Sequence, residues 1–242
     1  MTALLEVREI SKAFRGLKAV SNAGFEVPQG GLVALIGPNG AGKTTCFNMI
    51  AGVFKPDSGE ILFQGNRIDG MRPDQICVAG IGRTFQIVKP FAGLSVLDNV
   101  IVGAFNRTRH LAEASKAACD ILDKLGVGAK RDLPASSLTL PDRKRLEVAR
   151  ALATRPTLLL LDEVMAGLRP TECDQMVEVF RELNAKDGLT ILLIEHVMRA
   201  VMALAQHIVV LHHGEIIAQG TPQHVVRDPA VLECYLGEET EV

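Results

Sequence analysis

The chain has 242 residues, 48% of them hydrophobic and 22% charged, with a net charge of −2 at pH 7 and a pI near 6.3. This composition is typical of a globular protein with a sizeable core, and the charge balance argues against a basic nucleic-acid-binding module. The five cysteines show no CxxC spacing, which argues against a zinc site or a disulfide framework. No apolar run is long enough to span a bilayer, and because the first 21 residues mix charged with apolar side chains, we expect no secretory signal there. We therefore expect a cytoplasmic protein that reaches a membrane only through a partner.

The first predicted elements are two strands. Residues 4–14 and 17–27 alternate apolar and polar side chains on either side of Arg15-Gly16. This alternation predicts an antiparallel pair at one side of the core. Phe14 lies at the end of the first strand, where it either packs as a core aromatic or faces a nucleotide base, and the pattern favours neither.

Residues 37–44 fit the phosphate-binding P-loop pattern, between an apolar run at 32–36 and a helical segment. Its glycines let backbone N–H groups surround a polyphosphate, and the following helix adds the positive end of its dipole. Lys43 is expected to reach the β- and γ-phosphates, and the Thr44 hydroxyl to ligate Mg²⁺. A chance glycine-rich turn is the alternative, which the strand-then-helix context disfavours. The predicted binding residues here are Gly37, Pro38, Asn39, Gly40, Ala41, Gly42, Lys43, Thr44 and Thr45.

Beyond this loop the pattern changes from short strands to helices. A turn at 55–59 and extended segments at 60–63 and 67–68 precede a short helix that begins at Pro73. Residues 81–86 return to extended structure and end on Gln86. Helical periodicity then dominates at 96–105, 111–125 and 142–153.

An acidic pair ends the next predicted strand. The continuous apolar run at 158–161 indicates a strand buried on both faces, and it ends on Asp162-Glu163. In a P-loop protein the acidic residue at this point holds Mg²⁺ directly or through water, which is the role predicted for Asp162. Glu163 is placed to polarise an attacking water. The alternative is an acidic pair that merely ends a strand in solvent.

A second strand with polar residues at its end lies further on. Residues 171–187 form a predicted helix that Gly188 ends, and residues 190–194 form a buried strand that ends on Glu195-His196. If that strand is parallel to the one before Asp162, His196 lies at the phosphate edge of the sheet; otherwise it is a structural histidine. A hairpin at 207–218 and a helix over 221–227 complete the pattern.

Taken in order, these motifs resemble the ATP-binding subunit of an ABC transporter along essentially the full chain. Gln86 matches the glutamine whose loop links the nucleotide site to the membrane subunit. Residues 158–163 match the strand with the Mg²⁺ aspartate and the catalytic glutamate, and 166–168 resemble the dimer-facing loop after it. His196 matches the histidine that contacts the γ-phosphate, and Phe14 falls where the family stacks an aromatic on adenine.

The resemblance implies an α/β fold, with a P-loop ATPase core, a small antiparallel β-subdomain and an inserted α-helical subdomain. One domain would span 4–237, with its core at about 4–90 and 155–237, the helical subdomain at about 91–154, and an acidic tail at 238–242.

The same resemblance implies a Mg²⁺-dependent ATPase with ATP and Mg²⁺ as its cofactors. Glu163, His196 and Gln86 would be catalytic, and Thr44, Gln86 and Asp162 would hold the metal. The implied partners are a second ATPase subunit, transmembrane permease subunits and, indirectly, a solute-binding protein, with no nucleic acid. The chain would then lie at the inner face of the cell membrane.

Three short stretches narrow the resemblance. Residues 83–86, 195–198 and 235–237 look like those of branched-chain amino acid importers, with urea or amide importers as near relatives. Three alternatives stay open: an ATPase of an exporter, a soluble ABC ATPase that acts on ribosomes or DNA, and a regulatory subunit with little hydrolysis.

One motif departs from the family. Its signature, usually Leu-Ser-Gly-Gly-Gln, aligns with Leu138, Thr139, Leu140, Pro141 and Asp142. In the family this segment closes over the γ-phosphate on the partner ATPase. Thr139 keeps a hydroxyl, but Pro141 has no N–H to donate and Asp142 brings negative charge towards an anion. The departure favours a heterodimer with an ATPase whose signature is intact; the alternative is a well-capped helix with a reduced binding role.

Overall fold

The structure, a computed structural model, describes residues 2–87 and 89–236, and the predicted acidic tail at 238–242 lies outside them. The chain forms two compact units, a first unit of Met1–Ile76 with Thr190–Val242 and a second unit of Cys77–Leu189. The strands are β1 Ala3–Phe14, β2 Leu17–Pro28, β3 Leu32–Ile36, β4 Ser58–Phe63, β5 Asn66–Arg67, β6 Ile81–Arg83, β7 Leu158–Asp162, β8 Thr190–Ile194, β9 His207–His212 and β10 Glu215–Gly220. The helices are α1 Lys43–Ile50, α2 Pro73–Ala79, α3 Val96–Ala104, α4 Leu111–Lys124, α5 Leu140–Ala153, α6 Pro170–Asp187, α7 Met198–Leu204, α8 Pro222–Val225 and α9 Pro229–Leu236.

The first unit contains an antiparallel sheet in the order β2-β1-β4-β5. Its longest pairing joins β1 to β2, and Phe14 lies opposite Leu17 at the hairpin end. Arg15 and Gly16 turn the chain with φ values of 50° and 88°, as a two-residue turn that matches the twist of the strands requires. The predicted antiparallel pair is therefore confirmed.

The first unit also contains the strand that leads into the P-loop. β3 lies between β8 and β9 and is parallel to both, while β10 pairs antiparallel with β9. Every residue of β3 and of β8 is buried, as their continuous apolar sequences predict. Because β3 and β8 are parallel neighbours, the loops at their carboxyl ends leave from the same end of the pair.

The second unit combines a parallel strand pair with a cluster of helices. β6 and β7 pair in parallel, with Gly82 opposite Leu159, and α3 packs on both α4 and α5. Gly103 permits the close packing of α3 on α5, because a Cβ there would lie 2.6 Å from the carbonyl oxygen of Arg150. The core of this unit includes Leu122, Leu146 and Phe180, each fully buried.

The structure differs from the predicted elements in three places. β6 ends at Arg83 although the extended pattern runs to Gln86. α5 begins at Leu140, two residues before its predicted start, because Pro141 is tolerated in the first turn, where its missing N–H costs no bond. Helices α7 and α9 were not predicted. The dipeptide Asp228-Pro229 at the start of α9 is a helix start signal, and the Asp228 carboxylate accepts a hydrogen bond from the Ala230 N–H at 2.9 Å.

Across the described residues, no helix combines the length and apolarity that a membrane span needs.

Candidate functional site

The glycines of the P-loop adopt backbone conformations that a residue with a side chain would not allow. Gly37, Gly40 and Gly42 have φ values of 149°, 77° and 105°. A Cβ on Gly37 would lie 1.9 Å from the Leu211 carbonyl oxygen, and one on Gly42 would lie 2.3 Å from that of Ala19. Neither distance is possible for a real side chain, so the loop requires glycine at both positions. Gly42 is the N-cap of α1 and offers no capping side chain, so the first N–H groups of the helix can serve an anion.

Lys43 is held inside this loop. Its side chain is buried, and its Nζ donates to the carbonyl oxygens of Gly37 at 2.6 Å and Pro38 at 2.7 Å. These two bonds bridge the start of the loop to the start of α1 and stabilise the turn between them. Thr44 is exposed and Thr45 half-buried in the same helical turn. The loop thus presents a buried ammonium, the N–H groups of a helix N-terminus and a reachable hydroxyl, which together suit a polyphosphate with a bound cation.

Phe14 lies on the surface of the first unit. Its side chain is 40% exposed, which rules out the buried core aromatic that its strand position also allowed. Its ring contacts Phe54 edge-on, with 5.2 Å between the ring centroids, and Lys12 Nζ lies 5.8 Å from its centroid. Stacking of Phe14 on a nucleotide base stays a prediction.

His196 lies two residues beyond the end of β8 and is exposed. Because β8 is the parallel neighbour of β3, His196 and the P-loop leave adjacent strands at the same end. The residue before it, Glu195, is buried. This placement within the first unit agrees with the predicted phosphate-edge position, and the contact with a γ-phosphate stays a prediction.

In the second unit, Asp162 ends β7 as a buried carboxylate with one oxygen occupied. Its Oδ2 accepts a hydrogen bond from the Arg83 guanidinium at 3.0 Å. Its Oδ1 is buried and has no hydrogen-bond partner among the described residues. Burial raises the pKa of Asp162, and the guanidinium opposes that rise only in part. A buried carboxylate oxygen without a donor suits a hard cation, so this residue fits the predicted Mg²⁺ role.

Glu163 is positioned by two side chains from other parts of the second unit. Gln86 Nε2 donates to Glu163 Oε2 at 2.7 Å, so two predicted catalytic residues are in contact. The backbone of Glu163 is left-handed, with φ of 50°, a conformation that costs a non-glycine residue roughly 1–3 kcal/mol. Lys144 Nζ, buried on α5, donates to the Glu163 carbonyl oxygen at 2.9 Å. Neither Lys144 nor Arg83 was predicted as a site residue. The sequence around each of them contains no pattern that indicates its contact with Glu163 or Asp162.

The altered signature begins α5. Thr139 is the N-cap, but its hydroxyl donates to Asp142 Oδ2 at 2.6 Å instead of capping a backbone N–H. Lys130 Nζ donates to the same oxygen at 2.5 Å. Burial favours a higher pKa for Asp142, but Lys130 and Thr139 outweigh it and lower the pKa.

Asp142 therefore keeps the negative charge that the sequence predicts, and the Lys130 ammonium compensates it. The remaining signature residues differ in exposure. Leu138 is buried, Pro141 is half-buried, and Leu140 is 45% exposed. Gly167 of the predicted dimer-facing loop lies beside Leu140, close enough that a Cβ there would be 3.3 Å from the leucine side chain.

Two family models match this chain. The model for ABC transporters matches residues 20–166, and the model for branched-chain amino acid ATP-binding cassette transporters matches residues 215–241. The first match includes the P-loop, Gln86, the signature segment and the acidic pair. The second match begins at β10, the second strand of the C-terminal hairpin.

Individual relatives agree with the family models. The chain is 39% identical to the high-affinity branched-chain amino acid transport ATP-binding protein LivG of Escherichia coli K12, over 97% of this chain and 98% of the relative. It is 33% identical to the lipopolysaccharide export system ATP-binding protein LptB of Acidithiobacillus ferridurans, over the full length of both. A crystal structure of the ADP conformation of an ABC transporter ATP-binding cassette superposes with a TM-score of 0.89, at 31% identity, over 98% of this chain and all of the other. The chain belongs to the ABC transporter family as an ATP-binding cassette subunit, with the α/β fold of those cassettes.

Proposed function

We propose that this chain is the ATP-hydrolysing subunit of a membrane importer for branched-chain amino acids or related small polar solutes. The observation that carries the proposal is the 2.7 Å hydrogen bond between Gln86 and Glu163, which joins the family's transporter-linking glutamine to its catalytic carboxylate. The importer and its cargo are supported by the names of the LivG relatives and by the C-terminal family match.

In the proposed reaction, the P-loop binds the polyphosphate of ATP through its backbone N–H groups and Lys43. Glu163 positions or deprotonates a water for attack on the γ-phosphate, and His196 stabilises the charge that develops there. Phe14 stacks on the adenine. Thr44, Gln86 and Asp162 would hold Mg²⁺, which when bound neutralises charge on the β- and γ-phosphates.

The proposed partners are a second ATPase subunit and transmembrane permease subunits at the inner face of the cell membrane. Apolar side chains on both sides of Gln86 support a protein partner there, because Phe85 is 56% exposed and Ile87 is 68% exposed. A solute-binding protein would act indirectly, through the permease.

The altered signature supports a heterodimer. Pro141 offers no N–H, and the Thr139 hydroxyl is engaged with Asp142. The nucleotide site built on this chain's Lys43 and Glu163 would be complete when a partner with an intact signature closes it. The site that Thr139 completes on the partner would be weaker, and a homodimer would have two weakened sites.

The test is a pull-down of the tagged Glu163→Gln variant, trapped with ATP and Mg²⁺, from detergent-solubilised membranes, with mass spectrometry of the co-purifying chains. We expect permease chains and a second, different ATPase. Lys43→Ala is the matched control, because loss of the phosphate-binding ammonium should prevent trapping, and its recovery is compared at equal amounts of folded protein because Lys43 also stabilises the loop.

Other outcomes separate the alternatives. Recovery of lipopolysaccharide-transport membrane chains would favour an exporter, as the LptB similarity allows. Recovery of ribosomal or DNA-repair proteins with no membrane chain would overturn the transport function. Absence of turnover in an otherwise complete assembly would favour a regulatory subunit.

A further inference from the structure

The chain turns sharply where it leaves β7, at the proposed catalytic carboxylate. Glu163 has a left-handed backbone with φ of 50°, a region that residues with a side chain seldom occupy. Its carbonyl oxygen accepts the N–H of Ala166 at 3.3 Å, so residues 163–166 form a turn. Because the backbone dihedrals set the direction of the side chain, this turn decides where the Glu163 carboxylate lies.

Helix α5 contacts this turn at both ends. At the first end, Lys144 Nζ donates to the Glu163 carbonyl oxygen at 2.9 Å. Just beyond the other end lies Gly167, where a Cβ would be 3.3 Å from the Leu140 side chain. Leu140 and Lys144 are four residues apart, so they lie on one face of α5. The turn therefore packs along a helix face, and Lys144 supplies the contact at Glu163.

This contact uses a charged group where a neutral side chain would avoid the cost of burying charge. Lys144 is only 5% exposed, and burial of an ammonium is costly unless bonds and charges compensate it. A hydrogen bond from an ammonium is also stronger than one from a neutral donor. A buried lysine is therefore suited to a carbonyl group that must keep one orientation, such as that of a residue with a left-handed backbone.

The Lys144 charge also acts on the neighbouring carboxylate. Burial raises the pKa of Asp162, and the charge of Lys144, like the nearer one of Arg83, opposes that rise. An electrostatic effect on Asp162 is therefore the alternative role for this lysine. The two roles differ in what they change, since Asp162 is proposed to hold Mg²⁺ and Glu163 to act on water.

We propose that Lys144 is a positioning residue for Glu163. Its ammonium fixes the Glu163 carbonyl group and so keeps the left-handed backbone that directs the carboxylate to Gln86 Nε2, 2.7 Å from Oε2, and to the attacking water. The inference rests on the proposed function, in which Glu163 activates that water. Lys144 acts through the main chain of Glu163 and not on the nucleotide.

The test compares Lys144→Met, which keeps a long side chain but loses the donor, with Lys144→Arg, which keeps a charged donor. Lys124→Met is the matched control, because Lys124 also belongs to the second unit and contacts Asp187 at 2.6 Å, but through side chains that are 46% and 40% exposed. Each variant is made in the wild-type chain and in Glu163→Gln. ATP turnover, KM for ATP, the Mg²⁺ requirement and the melting temperature are measured in the complex that co-purifies with the tagged chain.

For Lys144→Met in the wild-type chain we expect turnover to fall by up to roughly a hundredfold, as for a displacement of about 1 Å in a preorganised site. KM for ATP and the Mg²⁺ requirement should change little. Lys144→Arg should keep most of the turnover, and Lys124→Met should match the wild type. In Glu163→Gln, Lys144→Met should cause no further loss, because residues that act as one unit are not additive.

Unchanged turnover in Lys144→Met would overturn the positioning role. The same fractional loss in both backgrounds, together with a lower melting temperature, would overturn it in favour of a general structural role. A raised Mg²⁺ requirement would overturn it in favour of the effect on Asp162. If the wild-type complex does not hydrolyse ATP, the proposed function fails and the positioning role fails with it, whereas an active wild-type complex beside an unaffected Lys144→Met overturns this inference alone.

Discussion

The P-loop and the acidic pair Asp162-Glu163 both lie at the ends of buried strands, but they are held in opposite ways. The P-loop is held mainly by its own backbone, through glycines in special conformations and a lysine that bonds carbonyl oxygens five and six residues before it. The acidic pair is held by side chains from afar, since Arg83 and Gln86 lie 79 and 77 residues away in sequence. A contiguous sequence motif can therefore describe the whole P-loop. For the acidic pair, a motif identifies the two carboxylates but not the side chains that hold them.

The two regions should respond differently to substitution. In the P-loop, a change should act through geometry, because a Cβ in the wrong place displaces the backbone that surrounds the phosphate. In the acidic pair, a change that preserves shape can still remove function, because the role of Glu163 depends on its charge. One substitution in each region tests this difference.

Glu163→Gln should abolish most ATP turnover and leave ATP binding intact. The amide keeps an oxygen that can accept the Gln86 bond, so the geometry is preserved, but it cannot take a proton from water. We expect turnover to fall by roughly 10²- to 10⁴-fold, the range for loss of general base catalysis. Phosphate release and equilibrium ATP binding measure the two effects, with Glu178→Gln on exposed α6 as the control. Retained turnover would remove Glu163 from the base role.

Gly42→Ala should act through the backbone. The new Cβ would lie 2.3 Å from the Ala19 carbonyl oxygen, so the loop must shift. A misplacement of about 1 Å in a preorganised site can cost roughly a hundredfold in rate, and we expect a loss of turnover of that order together with weaker ATP binding. Gly30→Ala is the control, because Gly30 also has a positive φ of 70° but its Cβ would meet open space. Equal effects of the two variants would show that φ strain, not the close approach, governs the loop.

Much of the fold could be predicted from the sequence, because many of its turns, strands and helix ends are determined by residues that are close together in the chain. The hairpin at Arg15-Gly16, the buried strands β3, β7 and β8, and the Gly188 end of α6 each depend on residues within a few positions of one another. The short helix α7 was missed, since it has no capping side chain and its seven residues are too few for a helical period to be recognised in the sequence.

The sequence predicts the motif residues of the site, but it does not predict the side chains that contact and position them. Lys144 and Arg83 are ordinary basic residues in sequence, and only the fold brings them to Glu163 and Asp162. Lys130 is the clearest case, because its contact with Asp142 compensates the negative charge that the sequence places in the signature. Compensating charges at a distance leave no local pattern, so residue spacing alone cannot reveal them.

Lys130→Met tests that compensation and should have a moderate effect. It removes the ammonium that pairs with the Asp142 carboxylate and leaves the Thr139 hydroxyl and the more distant charge of Arg145, at the N-terminus that is proposed to face the partner's γ-phosphate. Because Lys130 is itself 41% exposed, we expect a stability loss of only about 1 kcal/mol. Turnover in the complex should also fall a few-fold. Adding Asp142→Asn to Lys130→Met should restore turnover. If the double variant is no better than the single one, the negative charge is not what Lys130 offsets.

The smallest expected effect concerns Cys46, on the helix that begins at the end of the P-loop. Burial raises the pKa of its thiol from about 9 to about 12, and thiol reagents attack the thiolate. We therefore expect no reaction of Cys46 with an alkylating reagent at pH 8 in the folded protein, and full reaction in denaturant. Reaction in the folded state, with loss of ATP binding, would show that the P-loop helix opens to solvent.

The same raised pKa predicts how stability depends on alkaline pH. The folded state keeps the Cys46 proton above pH 9, whereas the unfolded state releases it there. The free energy of unfolding should therefore fall between about pH 9 and 12, by up to roughly 1.4 kcal/mol per pH unit from this group. Urea unfolding at pH 8, 9 and 10, compared with Cys46→Ala, isolates the contribution, because alanine has no proton to lose. Parallel pH profiles for the two proteins would mean that the thiol is less buried than the structure has it.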